Sequence, residues 1–144
     1  MKLVLQSVAE AKVETSAGLV AQIKKGLLIF VCFEVGDDEE KVNFFAAKLP
    51  NLKVFADAQG RINLSIEAIK GEFLIVSQFT LAGKLDGLDF SFSSSLAYAE
   101  AEKLYNKFIE MLKKSNRVVR SGQFGEMMDV SLVNAGPLTF VLSR

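Results

Sequence analysis

Two stretches of this chain combine polar groups and constrained backbone in ways that could serve chemistry. Ser77-Gln78-Phe79-Thr80-Leu81 carries two hydroxyls, a side-chain amide and an aromatic ring in direct succession. Such a segment can donate and accept hydrogen bonds beside a ring face that stacks on an apolar or aromatic group. Near the other end, Asn134-Ala135-Gly136-Pro137-Leu138-Thr139 sets a Gly-Pro dipeptide inside an otherwise strand-like run. Proline cannot donate to a ladder and pushes the preceding residue away from helical angles, so the chain must turn or leave the sheet there. Taken alone, the first stretch reads either as a strand end with a surface threonine or as a displayed site. The second reads as a loop proline or as a sharply bent functional element.

Other chemistry is closed off. The chain contains no histidine, which removes His-dependent triads, the common His-containing zinc sites and imidazole acid-base catalysis together. Thr80 is a poor nucleophile unaided, because an aliphatic hydroxyl needs a base and none with a suitable pKa stands nearby in sequence. The single cysteine, Cys32, lies within the apolar run Leu27 to Phe33 and reads as a core residue. The acids Asp37, Asp38, Glu39 and Glu40 are consecutive and open a helix, where they point in different directions, so no metal site is expected. No glycine-rich nucleotide loop, paired-cysteine motif or zinc-protease motif is present, and no cofactor is expected.

A chain of 144 residues fits one domain, here residues 1–144, able to bury roughly two thirds of its unfolded surface. One cysteine supports no disulfide framework, and the longest apolar run is too short to cross a bilayer. A soluble cytoplasmic protein without a membrane partner is expected. Seventeen basic and seventeen acidic side chains cancel, so any nucleic-acid contact has to be local. The richest basic stretch holds Lys113, Lys114, Arg117 and Arg120 with no acid among them. It is either a solvated helix end whose lysines suit the C-terminal dipole or a patch facing phosphates.

The elements that must hold these groups follow from periodicity. Lys2 to Val13 reads as an opening strand and Leu19 to Ile23 as a second. The latter is expected to turn through a hairpin, with Gly26 as the permissive residue, into Leu27 to Glu34, a central strand apolar on both faces. A helix starts at Asp37 or Asp38, buries Val42, Phe45, Ala46 and Leu49, and stops at Pro50. A short hairpin turns at Asp57 to Gly60. Phe73 to Phe79 is the next buried strand, followed by a loop with two glycines and several serines. A second helix runs from Leu96 to about Lys114 with Ala97, Ala101, Leu104, Tyr105, Phe108 and Leu112 inward. Strands Met127 to Val133 and Leu138 to Leu142 close the chain. Two helices cannot cover so many strands, so the sheet either curls into a barrel-like layer or pairs with a second copy.

The two segments named first, in this order and near this separation, resemble the signatures of the D-aminoacyl-tRNA deacylases, also called D-tyrosyl-tRNA deacylases. The resemblance runs from Lys2 to the C-terminus. Supporting matches are Gly26 to Leu28, Asp57 to Asn63, Ala101 to Tyr105, Ser121 to Phe124 and Met128 to Asn134. One segment departs: where the family carries a Gly-x-Arg-Pro-Ser-Phe-like loop, this chain has Gly87 to Phe92, with Asp89 and Phe90 in place of the arginine and proline. Ala135 also stands where aspartate is more usual.

The resemblance implies an α+β fold, with a β-barrel-like curled antiparallel or mixed sheet, two main helices and a homodimeric arrangement. It implies hydrolysis of the ester between a D-amino acid and the terminal adenosine of tRNA, and of glycyl-tRNA. Ser77, Gln78, Phe79 and Thr80 would form the catalytic segment, with main-chain amides serving as oxyanion donors. Gly136 and Pro137, joined by a cis bond in the family, would project into the partner's pocket and exclude L-amino acids. Phe79, Asn134, Ala135 and Thr139 would complete the substrate-binding side, and Lys113, Lys114, Arg117 and Arg120 would touch the acceptor stem. Without the resemblance, the residues favour a non-catalytic small β-domain that dimerises and binds RNA. Hydrolysis of another ester or amide by Thr80 is a third reading.

Overall fold

A strand apolar at every position needs cover on both faces, and the computed structural model, which describes residues 1–144, supplies it. The elements in chain order are β1 (Lys2–Thr15), β2 (Gly18–Ile23), β3 (Gly26–Cys32), α1 (Glu39–Lys48), β4 (Phe55–Ala56), β5 (Ile62–Leu64) and β6 (Glu72–Ser77). They continue with β7 (Lys84–Asp86), β8 (Asp89–Ser91), α2 (Tyr98–Lys113), β9 (Val119–Ser121) and β10 (Asp129–Ser143). The main sheet has the order β10-β1-β3-β6-β9, with β2 also paired to β1. It is mixed: β1 is antiparallel to β10, β2 and β3, whereas β6 is parallel to both β3 and β9. The sheet curls until β2 lies against β6 and β9, so it is nearly closed.

That curl makes two cores. Leu27, Ile29 and Val31 of β3, with Phe73 and Ile75 of β6, pack under the two helices. Leu28, Leu74 and Val76 alternate with them onto the inner side, where they meet Val8, Ala11, Val13 and Ile23. Side chains alternate with a period of two along a strand, so an all-apolar run is what a doubly covered strand requires.

The expected β2–β3 hairpin does not form. Ile23 pairs with Ala11 and Gly26 with Val8, so β2 and β3 run on as one kinked arm along the same edge of β1. Lys24 and Lys25 form the kink, held by Glu72: its Oε2 accepts from the Lys24 amide at 2.9 Å, and its own amide donates to the Lys25 carbonyl at 3.2 Å. Gly26 is therefore not a turn residue. A Cβ there would overlap the main-chain carbonyl of Glu72, so glycine is needed for close approach of β6.

The helices follow their patterns. Asp38 caps α1, its Oδ1 accepting from the Lys41 amide at 3.1 Å, while Val42, Phe45 and Ala46 face inward. Pro50 sits in a 3-10 turn, Leu49–Asn51, directly after the helix. Helix α2 buries Ala101, Leu104, Tyr105, Phe108, Ile109 and Leu112; Ala97 is its N-cap and not part of the inner face. Asp37 has a different task from capping. Its Oδ1 lies 2.6 Å from the Met1 ammonium and 2.7 Å from Lys41 Nζ, and its Oδ2 accepts from the Glu34 amide at 2.7 Å.

Three further differences concern boundaries. β6 ends at Ser77, and Phe79–Ala82 winds into a 3-10 turn. The segment read as a loop contains the hairpin β7–β8, with Gly87 at φ 64 at its turn. The two expected closing strands are one, β10, and both its halves pair with β1.

Candidate active site

Within β10, the pairing register with β1 jumps from Val8↔Asn134 to Gln6↔Thr139. Ala135, Gly136, Pro137 and Leu138 thus stand opposite Ser7 alone and project from the sheet. The neck of this projection is tied. Asn134 Nδ2 donates to the Ser7 carbonyl at 3.0 Å and to the Leu138 carbonyl at 3.2 Å, and Gln6 Nε2 donates to Thr139 Oγ1 at 3.3 Å. Ser7 is itself anchored: it is the one buried polar residue, and its hydroxyl donates to the Val54 carbonyl at 2.8 Å. The Gly136-Pro137 peptide bond is cis, and both residues are exposed at the tip.

The segment that begins at Ser77 opens onto a cleft of about 470 Å³. The ends of β3 and β6, the start of α2 and the loop between β9 and β10 wall it. Ser77, Gln78 and Phe79 line it. The Gln78 amide donates to the Val31 carbonyl at 2.8 Å, and beyond it the chain leaves the sheet into the 3-10 turn. The first amides of such a turn have no acceptor within it, which leaves those of Phe79 and Thr80 as donors. The turn is braced where Lys2 Nζ donates to the Leu81 carbonyl at 3.2 Å and Ser94 Oγ to the Ala82 carbonyl at 3.0 Å.

Phe79 remains 58% exposed despite its size. Its ring meets that of Phe92 edge-on, with centroids 5.2 Å apart, and Phe92 stacks with Phe90 at 6.4 Å. The Thr80 hydroxyl accepts from Gln78 Nε2. No basic group contacts that hydroxyl, so the structure provides nothing to activate Thr80 as a nucleophile.

Cys32 is buried, as its apolar surroundings require, yet it also forms part of the cleft wall. Its Sγ donates to the Phe79 carbonyl at 3.5 Å. Burial pushes the thiol pKa up, and the nearby Glu34 carboxylate adds to the effect. The group therefore stays a neutral S–H that steadies Phe79, the opposite of what a reactive cysteine needs.

The opposite wall was not singled out as a wall from the sequence. Tyr98 and Phe124 meet edge-on at 5.1 Å, and Phe124 tilts against Tyr105 at 5.3 Å. Burial pushes the Tyr105 phenol well above its usual range, so it stays protonated and donates to the Ile75 carbonyl at 2.9 Å. Glu126, Met127 and Met128 complete this side. The signal available in the sequence was the stretch Phe124-Gly125-Glu126-Met127-Met128, large residues around a glycine and at no helix or strand period; Gly125 indeed takes φ 77.

None of Asn134 to Thr139 lines the cleft. β10 contributes Val130 to it, and Gly136 lies six residues further on, roughly 20 Å along an extended strand. One chain therefore does not bring the two predicted segments together. The basic residues lie apart as well. Lys113 is at the far end of α2 from Tyr98, a span of about 24 Å for its 16 residues. Arg117 Nε lies 3.4 Å from Glu67 Oε2, and Arg120 is exposed on β9. No group of three or more His, Cys, Asp or Glu side chains is arranged to hold a metal ion.

With this geometry in view, comparison with known proteins is specific. The family described as D-Tyr-tRNA(Tyr) deacylase matches residues 4–143. A D-aminoacyl-tRNA deacylase of Geobacter sp. (strain M21) is 43% identical over 143 residues, covering 99% of this chain and 96% of that protein. One of Exiguobacterium sp. (strain ATCC BAA-1283 / AT1b) is 43% identical over 145 residues, covering 100% and 99%. Among solved structures, one titled c-Myc DNA Unwinding Element Binding Protein superposes with a TM-score of 0.92 at 32% identity, covering 100% of this chain and 99% of that one. A probable eukaryotic D-amino acid tRNA deacylase superposes at 0.84 with 19% identity, covering 98% and 97%, which is a likeness of fold.

Proposed function

From the premise that the chain belongs to the D-aminoacyl-tRNA deacylase family, and so hydrolyses D-aminoacyl-tRNA, we propose how it does so and what it rejects. The terminal adenosine carries its ester into the cleft beside Ser77, Gln78 and Phe79. The main-chain amides of Phe79 and Thr80 hold the developing oxyanion while water attacks, and the ribose hydroxyl next to the ester orients that water. Fixed donors of this kind are worth about 3 kcal/mol each in known hydrolases, and an activated ester needs no protein nucleophile. Phe79 stacks on or beside the adenine, a contact worth about 1–3 kcal/mol per base.

The observation that carries the chiral part of this reading is the separation of the two segments: the cleft lacks the Gly136–Pro137 projection of its own chain. A second copy supplies it. In the resulting homodimer, each projection closes the neighbouring cleft, and its carbonyls occupy the space into which an L side chain would point. Hundredfold rejection needs only about 2.7 kcal/mol, less than a clash with fixed backbone can cost. Glycine has nothing to clash, so glycyl-tRNA is also a substrate, and the D side chain is admitted with little recognition. Lys113, Lys114, Arg117 and Arg120 contact the tRNA at a distance from the ester.

Ester loss from D- and L-aminoacyl-tRNA tests the activity, with loss of the D ester alone expected. Mixing Phe79→Ala and Gly136→Ala chains tests the dimer. Phe79→Ala alone should hydrolyse the D ester weakly and Gly136→Ala alone should lose its rejection of the L ester, whereas a mixed dimer keeps one cleft intact in both respects, so the mixture should exceed the first in rate and the second in D-over-L preference. A mixture no better than its parents would overturn the cross-subunit arrangement.

A further inference from the structure

Among the residues that line the cleft, one is charged: Glu126. It takes part in none of the ion pairs of the protein. Its position is nevertheless defined. The Gly122 amide donates to the Ile75 carbonyl at 2.8 Å, fixing the base of the loop to β6, and the Glu126 amide donates to the Gln123 carbonyl at 3.4 Å, closing a turn. Gly125 makes the reversal at φ 77, with the Tyr98 hydroxyl crowding the place where a side chain would start. Glu126 thus lines the cleft from a pinned turn at its rim, with its carboxylate in no ion pair.

The sign of that charge is informative. RNA is a polyanion, and a protein that binds it gains from cations and loses from an unpaired carboxylate beside the phosphates. An acid at this place is favourable only if the bound molecule brings a cation to it. An aminoacyl ester brings one cation, the protonated α-amino group on the carbon next to the scissile carbonyl. We infer that Glu126 binds the α-ammonium of the aminoacyl group and makes the enzyme selective for esters with a free amine over those whose amine is acylated. The inference rests on the deacylase reading above and adds a second criterion to it. The Gly136–Pro137 projection judges the side chain, and Glu126 judges the amine. An N-acylated ester, the chemistry of a peptidyl or formylated tRNA, would leave the carboxylate unpaired near RNA and be disfavoured.

The test compares D-aminoacyl-tRNA with N-acetyl-D-aminoacyl-tRNA on the wild type and on Glu126→Gln, following kcat/KM. The wild type should prefer the free amine by about tenfold or more, as loss of one ion pair of about 1.4 kcal/mol implies. Glu126→Gln should lose several-fold on the free-amine substrate and lose nothing on the acetylated one, where removal of an unpaired carboxylate gives an unchanged or modestly higher rate, so that the preference is erased. Glu126→Asp should recover part of it. Equal loss on both substrates would assign the residue to water activation or to the fold and overturn the inference. Equal gain would make it a mere repulsion of RNA, and no change would make it a bystander; either result overturns it too. A wild type that cleaves neither substrate overturns the deacylase reading itself, and the amine reading with it. Because Glu126 is exposed, an unchanged unfolding midpoint for the variant is expected alongside.

Discussion

The side-chain amide of Asn134 donates to the main-chain carbonyl of Ser7 at 3.0 Å, across the gap where the β1–β10 register jumps. This contact and its companion to Leu138 are what hold the base of the Ala135–Leu138 projection. An aspartate could not replace them, because both acceptors are carbonyls. Asn134→Ala should cost about 1–3 kcal/mol of stability, since it leaves the Ser7 carbonyl without its side-chain donor. It should also weaken the preference for D over L esters more than it weakens stability would suggest. Urea unfolding together with D- and L-aminoacyl-tRNA rates would check both; the expected loss of stability with an unchanged chiral preference would separate the contact from the site.

Thr80 is the residue a reader looking for a nucleophile would choose. Its hydroxyl is instead taken up by the Gln78 amide, and no base adjoins it. Thr80→Ala should therefore retain single-turnover hydrolysis within about tenfold of the wild type, the loss coming from a freer Gln78. Complete loss of the chemical step, with substrate still bound, would identify Thr80 as the attacking group.

Much of the fold was legible because burial periodicity reports local structure directly. The run Leu27 to Phe33 announced a doubly covered strand, and Val42, Phe45 and Ala46 announced the inner face of α1. What escaped was set by partners distant in the chain. Gly26 has the look of a turn glycine until Glu72 is seen against it, and Asp37 has the look of a cap until Met1 and Lys41 converge on it. The candidate site divided similarly. Ser77, Gln78 and Phe79 line the cleft as one continuous segment that the sequence displays, whereas the wall of Tyr98, Phe124 and Glu126 is assembled by packing of α2 against the β9–β10 loop and has no local pattern.

The environment of Asp37 gives stability an acid limb. Burial by itself would raise the pKa of this carboxyl. The Glu34 amide, the Lys41 ammonium and the Met1 ammonium outweigh it and hold the pKa below the usual range. A carboxylate depressed in the native state contributes fully above its unfolded value, near pH 4, and the contribution drains away as pH falls from there through the native value. Asp37→Asn should lose about 3 kcal/mol at neutral pH, because the buried ammonium partner is stranded. Its stability should then fall less steeply than the wild type between about pH 4 and pH 2. Urea midpoints across that range measure the difference, and parallel curves would show that Asp37 is not the titrating group.

Gly26 and Gly60 separate two reasons for using glycine. Gly60 has φ 75 with open space around it, and Gly26 has the Glu72 main chain where a Cβ would be. Gly60→Ala should cost about 1–2 kcal/mol, the ordinary left-handed penalty. Gly26→Ala forces β6 away from the β2–β3 kink, through a carbonyl that cannot rotate aside, and should cost about 3 kcal/mol or more. Equal destabilisation in chemical denaturation would mean that β6 yields easily and that the close approach is not a structural requirement.

The lysines at the end of α2 offer a test of scale. They lie about 18 Å along the helix from Ala101, the α2 residue of the cleft wall nearest to them, beyond the reach of the terminal adenosine, so any contact they make is with another part of the tRNA. Lys113→Ala with Lys114→Ala should accordingly leave hydrolysis of D-aminoacyl-adenosine unchanged. Affinity for D-aminoacyl-tRNA should weaken, and the slope of log affinity against log salt should become shallower by roughly 0.7–0.9 for each phosphate contact removed. A neutral protein has no general field to hide such a loss, so the change in slope would be read against a small total. An unaltered slope and affinity would return these lysines to the role of solvated side chains favouring the helix dipole.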